Sequence, residues 1–563
     1  MSTAISIEDL TFTYREGPRP ALKNILGSVR EGTFAVVMGH GGSGKSTLCC
    51  SLNGLVPRFF QGEYHGRVLV KDKVVARHKV TEMSYLVGLV LQDFEAQLFS
   101  TNVELEMAFG PENHCLPRPE IERRIQRYLA FVGLEKLRHR EPATLSGGQK
   151  QRLAIGSVLA LEPEIVVMDE PTTDLDPRGR EEVLSLAGHL REEGRTLLVI
   201  DHEPETAVNA DQVWLMKDGQ VVSQGPPPEI LLKVSLMESC GIKPHPLVEL
   251  FQSMNWPGRP LTVEAAITLN EKNNLIQRRE IKIPPKSHDT NKGTPILKAE
   301  KLRYIYPAHS VEALRGIDLS IQEREFVAIL GQNGSGKTTL AKHFNGLLKP
   351  TSGQMLVHGK PTTEYRHREL ARLVGYVFQN PDHQIFARTV SEEVGFGLKV
   401  LGESPKLMER RVAEALEIVG LRGYEERVPF TLTKGERQQV AVASVLATQP
   451  QVIILDEPTT GLDYRHQFSM MQMLRRLNHS GHTIIIITHS MGVAAEYATR
   501  TVVMKDGSIL LDGPTRSIFK DEASLAKASL SPSSLVKLSN RLGTQALTVQ
   551  QMVEELRTTN DVT

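Results

Sequence analysis

The stretch "FAVVMGHGGSGKST", from Phe34 to Thr47, couples a short apolar run to a glycine-rich turn that ends in Lys-Ser-Thr. It recurs as "FVAILGQNGSGKTT" from Phe326 to Thr339. A strand, a loop of glycines and then helix-forming sequence is the context in which G-x-x-x-x-G-K-[ST] cradles phosphate. Gly39, Gly42 and Gly44, like Gly331, Gly334 and Gly336, let successive backbone N–H groups turn toward phosphate oxygens, and the following helix N-terminus adds partial positive charge. Lys45 and Lys337 are placed to meet the β and γ phosphates. Ser46 and Thr338 offer a hydroxyl to Mg²⁺, and Thr47 and Thr339 complete the two phosphate-binding sets. Gly39 to Gly44 also spells G-x-G-x-x-G, a dinucleotide fingerprint. The adjoining Lys45-Ser46 and the second copy, which lacks that spelling, argue against it.

Outward from these loops the chain repeats itself. Lys45 and Lys337 lie 292 positions apart, whereas Gln92 and Gln379, Ser146 and Thr433, Asp169 and Asp456, and His202 and His489 each lie 287 apart. The register therefore slips once, by five residues, and then holds, as a duplicated domain requires. Each copy alternates helical stretches with apolar runs such as "EIVVMDEP" and "QVIILDEP", the rhythm of a parallel α/β sheet. A weaker repeat, "LVELFQSMNWPGRPLTVEAA" from Leu247 and "LVKLSNRLGTQALTVQQM" from Leu535, predicts a small helical tail after each copy. The polar, Pro-containing segment Ile281 to Pro295 reads as the linker. The expected organisation is a first domain over 1–240, a tail and linker over 241–294, a second domain over 295–525 and a C-terminal tail over 526–563.

Composition narrows the function classes. Lys plus Arg and Asp plus Glu both number 66, so the chain is formally neutral and shows no strongly basic nucleic-acid footprint. The four cysteines, Cys49, Cys50, Cys115 and Cys240, have neither CxxC spacing nor the density of a disulfide scaffold, and read as core or surface thiols. No N-terminal stretch reads as a signal peptide, and the apolar runs are strand-sized, far short of the roughly 20 residues a membrane helix needs. Any action at a membrane would require a partner to supply the span.

Asp169 and Asp456 end apolar strands, where a carboxylate is costly unless it serves a metal shell. Glu170 and Glu457 follow directly, placed to orient or deprotonate an attacking water, which makes hydrolysis the expected reaction. A solvent-facing strand-end charge is the bland alternative, and the repetition of the whole Asp-Glu-Pro-Thr-Thr string weighs against it. His202 and His489 also follow apolar strands and suit a γ-phosphate sensor.

These residues together resemble the ATP-binding cassette (ABC) ATPases over nearly all of both halves. The resemblance implies two tandem P-loop NTPase cassettes of α/β class, each with its helical tail, using ATP and Mg²⁺. Gln92 and Gln379 resemble the family's Q-loop glutamine, which joins the metal site to a transmembrane partner. "LSGGQ", with Ser146, Gly147, Gly148 and Gln149, is similar to the family signature, and Asp176 and Asp463 fall at its D-loop. Tyr14 and Tyr306 sit where an aromatic stacks on adenine, although simple strand packing explains either. The family pairs its cassettes head to tail, which implies intramolecular pairing here: Thr433 and Gly435 of "LTKGE" would serve the ATP held by Lys45, and the first signature the ATP held by Lys337. Lys434 and Glu436 depart from the signature, so one competent and one attenuated site are expected.

"VFQNPDHQIFARTVSEEVGFG" from Val377 resembles the extended Q-loop of energy-coupling factor (ECF) transporter ATPases, and "VLQDFEAQLFSTNVELEMAFG" from Val90 is a looser copy. Twin-cassette translation factors usually carry a long charged linker, duplicated sugar-importer ATPases commonly lose the second phosphate-loop lysine, and repair cassettes carry zinc cysteines; this sequence fits none of them as well. The resemblance thus implies a peripheral ATPase on the cytoplasmic face of the membrane. Its partners would be an integral membrane scaffold subunit and a substrate-capture membrane subunit, with no nucleic acid. A soluble ATPase acting on the ribosome or nucleic acid is the alternative.

Overall fold

In the computed structural model, residues 2–173, 175–275, 295–307 and 311–560 are described, with side chains to 557. The chain divides into two compact units, Met1–Glu249 with Asp463–Arg465, and Leu250–Leu462 with His466–Thr563. Of the expected linker, all but Pro295 lies outside the described residues.

Each half builds the same two sheets. In the first, Thr3–Tyr14 lies between Leu22–Arg30 and Gly62–Val70 in a four-stranded antiparallel sheet closed by Lys73–Val74. A six-stranded sheet follows the order Gln220–Gly225, Gln212–Lys217, Phe34–Gly39, Thr196–Ile200, Ile165–Asp169, Val87–Val90. Only its first pair is antiparallel. The second half repeats this with Phe326–Gly331 between Thr483–Thr488 and Arg500–Lys505, and Val452–Asp456 beside Val374–Val377. Ile165–Asp169 and Val452–Asp456 are buried at every residue, as unbroken apolar runs in a covered parallel sheet demand. The glycine loops leave the C-terminal ends of central strands, where α/β sheets bind ligands.

Three helices pack together in each half: Val103–Asn113, Arg118–Phe131 and Gly147–Leu159 in the first, and Val390–Leu401, Pro405–Val419 and Lys434–Leu446 in the second. The five-residue slip in register falls between Asn53 and Gly66, where the first half adds a turn carrying Phe59 and Phe60. In the second unit, the helix Val263–Asn273 packs on Ser534–Leu542, and Arg557 donates to the Ser253 carbonyl over 3.3 Å. The two weakly similar tails thus pack against each other. Among the described residues no helix is long and apolar enough to cross a membrane.

Candidate active sites

Each glycine loop takes its shape from backbone that only glycine tolerates well. Gly44 and Gly336 have φ of 98° and 99°, and a Cβ there would stand 2.4 Å and 2.6 Å from the carbonyl oxygens of Ala21 and Ala313. Gly42 and Gly334, also at positive φ, have nothing within 4 Å of a Cβ position, so their side of the loop is open to a ligand. Lys45 donates from Nζ to the Gly39 and His40 carbonyls at 2.9 Å each, and Lys337 to those of Gly331 and Gln332 at 2.8 Å each. Both ammonium groups are buried. Burial pulls the Lys45 pKa down, opposed by the carboxylates of Glu170 and Asp169.

The acidic residues converge on these lysines from the neighbouring strand. Asp169 and Asp456 are buried, and the Ser46 and Thr338 hydroxyls hydrogen-bond to them. Burial pushes the Asp169 carboxyl up to about 6 and raises Asp456 in the same direction. Asp169 Oδ1 is a buried oxygen with no hydrogen-bond partner, whereas Asp456 Oδ2 accepts from the Tyr376 hydroxyl over 2.8 Å. Leu89 holds the position equivalent to Tyr376 in the first half.

Glu170 and Glu457 adopt φ of 50° and 48°, a left-handed conformation uncommon outside glycine. Such conformations persist where surrounding structure over-determines them, and they cluster at functional sites. Glu170 accepts from His202 Nε2 over 2.6 Å, from Gln92 Nε2 over 2.7 Å and from the Thr173 hydroxyl over 3.3 Å. Glu457 accepts from His489 Nδ1 over 3.0 Å and from the Thr460 hydroxyl over 3.4 Å. Gln379 lies exposed beyond the strand Val374–Val377. Burial raises both glutamic acids, but His202 and Lys45 outweigh it at Glu170, and His489 and Lys337 at Glu457, so both are held below the ordinary carboxylate range.

Tyr14 is half-buried, its hydroxyl hydrogen-bonded to Thr47 Oγ1 at 3.0 Å and its ring edge-on to Phe12 and Phe60. Tyr306 makes the equivalent bond to Thr339 at 3.1 Å. The signature residues sit apart: Ser146 caps Gly147–Leu159 in a capping box with Gln149, with Gly147 and Gly148 in its first turn. Among the described residues no hydrogen bond or ion pair joins them to Lys45, Asp169 or Glu170. Thr433 caps Lys434–Leu446 in the same way, with Gly435 buried against His466.

Several participants escape a reading of the sequence. Ser43 and Ser335, inside the loops, bury hydroxyls that have no partner. Their only signal is their place between two motif glycines. Buried Glu106 accepts from the Phe99 and Ser100 N–H groups, and buried Glu393 from those of Phe386 and Ala387 at 2.9 and 2.8 Å. These acids look like solvent-facing helix positions in the sequence, yet they shape the turns beyond Gln92 and Gln379.

Two phosphate loops, each meeting a buried aspartate, the glutamate that follows it and a histidine, define a twin P-loop ATPase. The chain belongs to the ABC transporter family, whose profile matches residues 22–173 and 314–460. A protein of Caldanaerobacter subterraneus subsp. tengcongensis, provisionally named an ABC transporter ATP-binding protein, is 50% identical over 98% of both chains. Relatives with the same provisional name occur in Methanosarcina acetivorans, at 41% identity over 94% of this chain and 89% of that one, and in Enterococcus faecalis, at 34% over 96% and 95%. A solved structure of cbiO1 from Clostridium perfringens, described as part of the ABC transporter complex cbiONQ, is 36% identical. It covers 44% of this chain and 99% of its own, with a TM-score of 0.39. The chain is thus an ATP-binding ATPase with two cassettes.

Proposed function

We propose that this chain is the energy-coupling ATPase of an ECF-type importer, driving uptake of a vitamin, vitamin precursor or transition-metal ion through separate membrane subunits. The observation that carries this reading is a pair of exposed aromatics in each half. Phe99 and Phe109 are 61% and 45% exposed with ring centroids 4.5 Å apart, and Phe386 and Phe396 are 61% and 45% exposed at 4.7 Å. In each pair one ring, Phe99 or Phe386, stands on the turn after Gln92 or Gln379, whose N–H groups Glu106 or Glu393 holds, and the other, Phe109 or Phe396, on the helix that follows. An exposed aromatic pair beside a polar rim suits a partner's helix. A scaffold subunit's cytoplasmic segment docking there would feel changes at the glutamine and transmit them. The chain would then lie on the cytoplasmic face of the membrane.

At the catalytic level, the loop N–H groups and Lys45 or Lys337 would hold the ATP phosphates, and Glu170 or Glu457 would orient the attacking water, with His202 or His489 fixing the glutamate. The residues fit Mg²⁺: the orphaned buried Asp169 Oδ1 and the Ser46 hydroxyl form the oxygen donor set a hard cation prefers. Asp456 and Thr338 would form its counterpart, and the Gln92 and Gln379 amide oxygens would add to the two sets. Bound Mg²⁺ would supply charge neutralisation at the phosphates. Within the cassette pair, the second signature would serve the nucleotide on Lys45 and the first signature the one on Lys337.

Copurification from native membranes tests the proposal. Recovery of integral membrane subunits together with the chain is expected, and sedimentation with ribosomes instead would overturn it.

A further inference from the structure

The two signature helices start with the same capping geometry but dispose of their hydroxyl hydrogens differently. In the first half, Gln149 Oε1 accepts the Ser146 N–H over 3.0 Å, and Ser146 Oγ serves as acceptor for the Gln149 N–H at 3.4 Å. In the second, Glu436 stands in place of Gln149, and its Oε2 accepts both the Thr433 N–H and the Thr433 hydroxyl, each over 2.8 Å. Its other oxygen accepts the Tyr424 hydroxyl over 3.0 Å. Leu137 occupies the position equivalent to Tyr424 in the first half, and a leucine side chain has no hydrogen to donate.

A threonine hydroxyl has one hydrogen, and a phosphate oxygen is only an acceptor. A hydroxyl that has given its hydrogen to a carboxylate has only lone pairs left for phosphate. Thr433 therefore keeps the atom that the signature needs but not its availability. Burial raises the Glu436 pKa, but the hydrogen bonds from Thr433 and Tyr424 outweigh it, so the acid is held ionised and a strong acceptor. Lys434 does not compensate locally: its ammonium lies against Gly461, where a Cβ would be only 2.4 Å from Nζ.

We propose that Glu436 is a positioning residue that holds the Thr433 hydroxyl away from nucleotide phosphate and so slows turnover at the site this helix serves. The inference rests on the proposed cassette pairing, in which that nucleotide is the one on Lys45. Releasing one charge-assisted hydrogen bond is worth about 10-fold in rate or more.

The test uses the full chain carrying Glu457→Gln, so that turnover reports the Lys45 site. Adding Glu436→Gln, which keeps a residue able to cap as Gln149 does, should raise kcat about 10-fold with KM within about two-fold and Tm unchanged. Adding Thr433→Val as well should remove the gain, and Thr433→Ser should keep it. An equal gain with valine at 433, or no gain from Glu436→Gln in either the Glu457→Gln or the Glu170→Gln background, would overturn the proposal. A gain seen only in a Glu170→Gln background would uphold the hydroxyl lock and overturn the pairing on which its assignment to Lys45 rests.

Discussion

The His489 imidazole donates from Nδ1 to Glu457 over 3.0 Å, and this contact sets the charge state of a glutamate that burial alone would push toward the acid form. With His489 in place the carboxyl sits below its ordinary 4.5, so it is ionised throughout the neutral range. Removing the imidazole leaves burial as the dominant effect, and the pKa should rise. His489→Gln is therefore expected to move the acid limb of the kcat–pH profile upward, on top of any loss at the optimum. A uniformly lower profile with an unmoved acid limb would show that His489 acts on something other than Glu457.

Glu457 and Glu170 should not matter equally. The nucleotide on Lys337 would meet the intact Ser146 signature, whereas that on Lys45 would meet Thr433, whose hydroxyl is engaged by Glu436. Glu457→Gln should nearly abolish steady-state hydrolysis, while Glu170→Gln should reduce it less and leave substantial uptake. A handicap of about 1.5–3 kcal/mol at the Lys45 site corresponds to roughly 10- to 100-fold. Equal losses in ATPase and uptake assays, or a larger loss for Glu170→Gln, would contradict the asymmetry.

What could be read directly in the sequence was local in the chain. The glycine loops, the Ser146–Gln149 capping box and the apolar strands ending in Asp169 and Asp456 each depend on a few consecutive residues with a defined spacing. The contacts that escaped reading are made across elements. Tyr376 reaches Asp456 because two parallel strands pair Tyr376 with Ile454, a juxtaposition of residues 80 positions apart. Glu393 looks like one of two adjacent helix-surface acids until the preceding turn folds back onto it. Thr433 shows the opposite limit: the residue type was legible, but the direction of its hydrogen was not.

Asp169 carries a stability cost in the nucleotide-free chain. Its carboxyl is pushed up to about 6 from 3.8 by burial, so the folded state binds that proton more tightly than the unfolded one. The buried charge therefore destabilises the fold above pH 6, and the cost is relieved as pH falls through about 6 toward 3.8. Asp169→Asn should raise unfolding free energy at pH 7.5 in chelator by up to about 3 kcal/mol while abolishing hydrolysis at the Lys45 site. The advantage should shrink as pH is lowered through 6. Urea titrations at several pH values check this, and a pH-independent difference would assign it to packing instead of charge.

Glu393 offers a way to disturb coupling without touching nucleotide. Its carboxylate accepts the Phe386 and Ala387 N–H groups, and Phe386 packs edge-on to Phe396 on the exposed side. Glu393→Ala leaves two N–H groups without their acceptor, so the turn should lose its fixed shape and the aromatic pair its geometry. Since one charge-assisted bond is worth about 1.5–3 kcal/mol, docking should weaken roughly 10-fold or more. Phe386→Asp should act similarly by placing a charge in the patch. Both variants should keep ATP binding and the ATPase rate of the isolated chain within about two-fold while losing recovery with membrane subunits and uptake. If uptake survives in both, the aromatic pair is not the docking surface. If the isolated ATPase falls in parallel with uptake, the turn acts through the nucleotide site and the role of partner contact assigned to it is wrong.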